Sequence, residues 1–224
     1  MIIFTPRDIR RFLKTSKENT NRILNNMIKK DLCKRIEKGK YILTEHWKSL
    51  DTYEIATNII KPSYLGFWNA LHHHNLTEQV PRKIFIATTK RKKEMKIQEQ
   101  KIIFIHIRKK DFFGYERNGK IIVSDPEKTI LDSLRLPKYT EGIKQIYKAL
   151  NSELNTKKII KYAERINSSS IASRIGYLTD KKNLITNKQK ETLQNLITTY
   201  SKLDPKKDKT NPDPEWKIYA NWRH

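Results

Sequence analysis

"FTPRDIRRFLKTSKENTNRILNNMIKKDLCKRIEKGKYILTE", Phe4 to Glu45, opens two helices in succession and closes on a basic hairpin. Thr5 stands three residues before Asp8 with Pro6 between them, a capping-box start with proline where its missing N–H costs nothing. A helix is expected from Pro6 to about Leu13, with Ile9, Phe12 and Leu13 on one face and Arg7, Arg10 and Arg11 elsewhere. Thr15, three residues before Glu18, repeats the grammar and predicts a second helix over Ser16 to Lys30. At about 100° per residue, Thr20, Ile23, Leu24, Met27 and Ile28 gather on its inner side, and Glu18, Arg22, Asn25, Asn26 and Lys29 on its outer side. Asp31 suits a left-handed helix stop, after which Leu32 is expected to fold back on the core. "LCKRIEKGKYILT" then reads as strand, tight turn at Lys38-Gly39 and strand, with Cys33 buried.

Helix, turn, helix and basic hairpin is the order of a winged helix-turn-helix. Asn pairs bidentately with adenine and Arg with guanine in the major groove, so Asn21, Arg22, Asn25 and Asn26 are the expected base contacts. Lys17, Lys29, Lys38 and Lys40 are the expected backbone contacts. A solvated helix face in a Lys- and Asn-rich chain is the plainer reading of the same residue types. Winged helices usually carry another helix before this pair, and only Met1 to Ile3 precede Phe4. The head is therefore expected to complete its core against the rest of the chain or a second subunit.

The wider composition supports a polyanion partner. The formal net charge is +23, and the excess is uneven: Met1 to Leu50 holds 13 Lys/Arg against 5 Asp/Glu, and Pro81 to Lys120 holds 13 against 4. Such a surface attracts nucleic acid, although a Lys- and Ile-rich proteome would also raise the charge. Mean hydropathy is -0.77, yet 7 Phe, 10 Tyr and 4 Trp with many Ile and Leu suffice for a core. No apolar run spans a membrane and no signal peptide is read at the start, so a cytoplasmic protein is expected. Cys33 is the single cysteine, which excludes an internal disulfide.

Beyond the head, the periodicity predicts helices over Tyr53 to Ile60 and Tyr64 to about Asn75, then strands near Arg82 to Thr89 and Lys101 to Ile107, and a hairpin turning at Asn118-Gly119. "KRKKEMK", Lys90 to Lys96, is a solvated loop or a second phosphate contact through Arg91, Lys92 and Lys93. From Asp125 to about Lys202 the pattern is helical, with breaks at Pro137 and near Asn155, Asn167 and Asp180. The class is α+β, with expected units at 1–46 (winged helix), 47–136 (α+β core), 137–202 (helical) and 203–224 (a tail docked by Trp216 and Trp222).

Three features bear on chemistry. His72, His73 and His74 diverge around a helix and are poor joint metal ligands, so no metal is expected. In "SDPEKT", Asp125, Glu127 and Lys128 have the residue types of a nuclease site, but Asp as N-cap and Pro in the first turn explain them without catalysis. No glycine-rich phosphate loop is present, and no cofactor or catalytic residue is assigned.

"GKYILT", "YLGFWNALHHHNLTEQVPRKIFIAT", "VSDPEKTILDSL", "SSSIASRIGYL" and the closing "LDP…WKIYANW" occur in the order found in the AbiEi family of abortive-infection antitoxin regulators, which the chain resembles over nearly its whole length. The resemblance implies an N-terminal DNA-binding domain that represses its own operon, and a C-terminal domain opposing a nucleotidyltransferase-like toxin of a type IV toxin-antitoxin system. It implies double-stranded promoter DNA as partner and no stable toxin complex; separately, the small reading surface of one winged helix leads to an expectation of homodimeric or cooperative binding to repeated half-sites. The rivals are a nuclease-like body carried by a winged helix and an orphan regulator without a toxin.

Overall fold

The computed structural model describes residues 2–222. The head consists of β1 (Ile3–Phe4), α1 (Pro6–Leu13), α2 (Lys17–Lys29), β2 (Cys33–Glu37) and β3 (Lys40–Leu43). Its strands form an antiparallel sheet in the order β1-β3-β2. The capping box of α1 is complete: Asp8 N–H donates to Thr5 Oγ1 at 3.3 Å and Thr5 N–H to the Asp8 carboxylate at 2.8 Å.

For α2 the cap is Ser16, not Thr15. Ser16 Oγ accepts from Asn19 N–H at 3.1 Å, while Thr15 Oγ1 accepts from the Asn19 side-chain amide at 2.6 Å. Asp31 is left-handed, with φ 51°. Leu32 does not enter the core and is 54% exposed. Its backbone is fixed from both sides, its N–H donating to Met27 O and its carbonyl accepting from Thr44 N–H. Strand alternation then turns Cys33 inward in its place. Gly39 takes φ +76° at the hairpin turn, a conformation with little cost for glycine.

α3 (Thr44–Ser49) and α4 (Thr52–Ile59) follow, so the boundary expected at 46 falls inside a helix. The next segment corrects the reading of one helix from Tyr64. Ser63–Leu65 is strand β4, and only Phe67–His73 is helix, α5. β5 (Lys83–Thr88), β6 (Met95–Ile97), β7 (Gln100–His106), β8 (Tyr115–Asn118) and β9 (Ile121–Ser124) join β4 in a six-stranded mixed sheet of order β6-β7-β5-β4-β9-β8. β5 and β7 are parallel over six residue pairs, from Lys83↔Lys101 to Thr88↔His106. One sheet face carries Ile84, Ile86, Ile102 and Phe104 against Ile55 and Ile59 of α4, and the other carries Phe85, Ala87 and Ile105 near Phe67.

The remainder is α6 (Pro126–Arg135), α7 (Ile143–Ala149), α8 (Thr156–Ile166), α9 (Ser169–Lys181) and α10 (Asn187–Gln194), with breaks near Pro137, Asn155, Asn167 and Asp180 as expected; the helical pattern read to about Lys202 ends instead at Gln194. The tail does not extend the large sheet. β10 (Ser201–Lys202), β11 (Pro212–Asp213) and β12 (Ile218–Tyr219) make their own sheet in the order β10-β12-β11. Trp216 is 1% exposed and lies against Gly176 of α9, where a Cβ would stand 2.0 Å from the indole. Only glycine leaves room for that ring. The architecture is α+β, and among the described residues no helix is long and apolar enough to cross a membrane.

Candidate nucleic-acid interface

The inner side of α2 is set by Thr20 and Leu24, which are buried, with Ile23 and Met27 half-buried beside them. Leu24 packs with Phe4 and Cys33. This anchoring turns the other side of the helix to solvent: Lys17, Asn21, Arg22, Asn25, Asn26 and Lys29 are all exposed. Ile28, expected inside, is 41% exposed because it lies at the edge of the narrow apolar stripe. The Arg22 guanidinium donates to Asn19 Oδ1 at 2.9 Å, which restrains its rotamer while leaving it on the surface.

At the hairpin the expected lysines part company. Lys38 at the turn is exposed. Lys40 is held within the fold: its ammonium donates to the Ile59 carbonyl at 2.5 Å and pairs with Glu37 at 2.8 Å. Lys92 is also withdrawn, since it pairs with Glu37 and lies 5.3 Å from the centre of the Phe104 ring. Arg91 and Lys93 stay exposed on either side. Burial pushes the Glu37 carboxyl up, but the ammoniums of Lys40 and Lys92 outweigh it and hold the group below the usual carboxylate range. Ile42 of β3 joins the core of α4 and the large sheet, and Ile2, Ile3 and Ile36 lean on it. The head therefore completes its core on the body, which fixes the direction in which α2 faces. Arg35, exposed on β2 with Nε 3.4 Å from the Glu37 carbonyl, adds a cation outside the expected set; strict alternation places it on the face of buried Cys33, so the sequence pattern did not signal its exposure.

The sites that suggested chemistry are occupied by structure. Asp125 caps α6, accepting from Lys128 N–H at 2.8 Å, and accepts from the Tyr162 hydroxyl at 2.8 Å. Burial and the Asp125 carboxylate together push the Tyr162 hydroxyl up to about 12. Lys158 of α8 bridges Asp125 at 3.2 Å and Glu127 at 3.0 Å. The Lys128 ammonium turns the other way, onto Asp132, whose other oxygen accepts from the Tyr64 hydroxyl at 2.6 Å. Lys128 and Asp132 are 0% and 1% exposed, so this pair joins α6 to β4 beneath the surface. Of the histidines, His74 Nε2 donates to the Ser124 carbonyl at 2.7 Å, and His73 Nε2 accepts from the Asn118 amide at 3.1 Å. Burial first, and the neighbouring His74, pull the His73 imidazole below its ordinary value, consistent with an accepting nitrogen. No three His, Cys, Asp or Glu side chains among the described residues are grouped as metal ligands.

Fold and surface together define an α+β protein that presents an amide- and cation-bearing helix face from a head fixed to its body. The chain is similar to the crystal structure of the RV2827C protein from Mycobacterium tuberculosis, with TM-score 0.58 and 12% sequence identity, over 97% of this chain and 86% of that one. At this identity the likeness is one of fold. No protein-family model matches the sequence, and no curated protein matches it.

Proposed function

We propose that the chain is a sequence-specific, non-enzymatic DNA-binding repressor whose head works as a winged helix-turn-helix, and that it is the autoregulating antitoxin of a type IV system of the AbiEi kind. The observation that carries the DNA reading is the outer face of α2, where Asn21, Arg22, Asn25 and Asn26 are exposed together on a helix whose opposite side is anchored. In this reading α2 enters the major groove of promoter DNA, and Lys17, Lys29 and Lys38 neutralise phosphates. Lys40 positions the hairpin instead. The antitoxin half rests on the ordered motifs of the sequence, with a nucleotidyltransferase-like toxin as functional partner and no stable complex required. A neighbouring gene lacking a nucleotidyltransferase would remove that half.

Footprinting on the chain's own upstream DNA at two salt concentrations tests the regulatory half. A short protected site that survives added salt is expected, since base contacts do not release counterions as phosphate contacts do. Uniform protection that disappears with salt would reduce the binding to the +23 charge. Arg22→Ala should cost about 1–3 kcal/mol on the protected site and almost nothing on scrambled DNA. Equal losses on both would leave Arg22 as a phosphate contact. Cooperative filling of repeated half-sites is expected because one small head reads few base pairs.

A further inference from the structure

A groove of about 700 Å³ opens between α5, the start of β5 and the turn at Pro137–Tyr139, far in the chain from α2. Trp68, Val80, Arg82, Lys83, Phe85 and Lys138 line it. A second depression of about 490 Å³ adjoins it, sharing Lys138 and Glu141 and lined also by Arg135 and Lys206. Trp68, half-buried, is the aromatic that faces the groove, with Phe85, 6% exposed, at its base; beneath them Phe85 meets Tyr139 at 5.5 Å between ring centres, and the Lys138 ammonium stands 4.8 Å from the centre of the Tyr139 ring. The rim is cationic, with Arg82, Lys83, Lys138 and Lys206 exposed. Val80 adds an apolar edge at 69% exposure. Among the lining side chains the carboxylates are Glu141 and Asp204, while Arg135 is tied to Asp111 at 2.8 Å.

We propose that this trough binds single-stranded nucleic acid, with a base against Trp68 and phosphates on Arg82, Lys83 and Lys138. An indole beside three exposed cations suits one base and the phosphates that flank it, and every base offers a π face. A duplex keeps its bases stacked on one another and offers such a groove only phosphate. These residues are separate from α2 and the hairpin, so this inference and the proposed function fail independently.

The test is fluorescence anisotropy of the full chain with labelled 12-residue oligouridylate and oligothymidylate, beside the footprinted duplex, at fixed moderate salt. The triple reversal Arg82→Glu, Lys83→Glu and Lys138→Glu should weaken both single strands at least ten-fold while duplex affinity moves less than two-fold. The charge-matched control Lys157→Glu, Lys161→Glu and Lys188→Glu, on exposed residues of α8 and α10, should leave single-strand binding within two-fold. Trp68→Leu keeps much of the side-chain volume and should still cost about five-fold on single strands. Preference for oligouridylate would support an RNA ligand through its 2′-hydroxyls, and equal affinity would support a groove that reads only base faces and phosphate. Unchanged single-strand affinity in the groove variants, or equal losses in the control, would overturn the proposal.

Discussion

Among the described residues, the head's own apolar cluster has three buried members, Phe4, Leu24 and Cys33, whereas twenty-three buried residues, from Leu71 to Ile218, close around α6 and α9 in the body. Phe12 at 85%, Leu13 at 48%, Ile28 at 41% and Leu32 at 54% exposure all belong to the head, and they are four of the seven large hydrophobics exposed in the described chain. A unit with so little buried apolar area cannot hold its own shape at ordinary stability. It borrows rigidity from the body through Ile42, the Lys40 contact to Ile59 and the Glu37 pairs. A surface that reads a ligand needs fixed direction more than its own core, and here direction is supplied by attachment.

The comparison is broken most severely in the body. Trp216→Ala removes the largest fully buried side chain and its indole N–H bond to Asp180 at 3.0 Å, and leaves a cavity above Gly176. A loss of about 3–5 kcal/mol in denaturant unfolding is expected. A loss below about 1 kcal/mol would mean that the tail is not part of the body's core. Asp132→Ala should be of similar size, about 3–5 kcal/mol, because it strands the Lys128 ammonium at 0% exposure. The double variant Lys128→Met with Asp132→Leu should recover much of that loss, since burying a pair costs desolvation that apolar residues avoid. No recovery would show that the ion pair itself, rather than the avoidance of a lone charge, stabilises α6.

The junction sharpens the comparison at smaller scale. Glu37→Gln removes two ion pairs whose partners are only partly shielded, and should cost about 1 kcal/mol. The folded Glu37 carboxyl lies below its ordinary value, so its contribution is complete above the unfolded value and is lost as pH falls through the folded one. Amide exchange in β2 and β3 should accelerate relative to β5 as the protein is acidified, and Glu37→Gln should show the faster exchange already at neutral pH. Exchange that rises equally in β2 and β5 would place the acid transition in the whole fold rather than at the junction.

The sequence carried local information well and distant pairing poorly. Capping residues, the glycine turns at Gly39 and Gly119 and the helix breaks are written within a few residues of where they act, and those elements fall at or within a residue or so of where the pattern predicts, the cap of α2 moving from Thr15 to Ser16. β4 was hidden because its three residues run straight into the apolar pattern of α5, and only its pairing with β5 and β9 makes it a strand. Lys92 read as a surface cation because its partner Glu37 lies 55 residues away. Lys40 likewise reaches Ile59, 19 residues on. The groove at Trp68 was invisible for the same reason, since its walls come from α5, β5 and the segment after α6. By contrast, the exposed residues of α2 were legible, because one helix's periodicity decides which side it hides.

The smallest effect asks which residue starts that helix. Sequence spacing pairs Thr15 with Glu18, but the geometry gives the cap to Ser16, whose Oγ takes the free N–H of Asn19. Ser16→Ala should therefore cost about 1 kcal/mol, the typical value for an N-cap serine. Thr15→Ala removes only the side-chain bond to Asn19, whose amide can turn to water, and should cost about half as much or less. Asn19 also accepts from Arg22, so losing Thr15 frees the Asn19 amide and with it the Arg22 rotamer. In denaturant titrations Ser16→Ala should shift the unfolding midpoint more than Thr15→Ala, while on the footprinted duplex Thr15→Ala should shift affinity more than its stability loss implies. The reverse ranking in unfolding would return the cap to Thr15 and rotate the start of the reading helix by one residue.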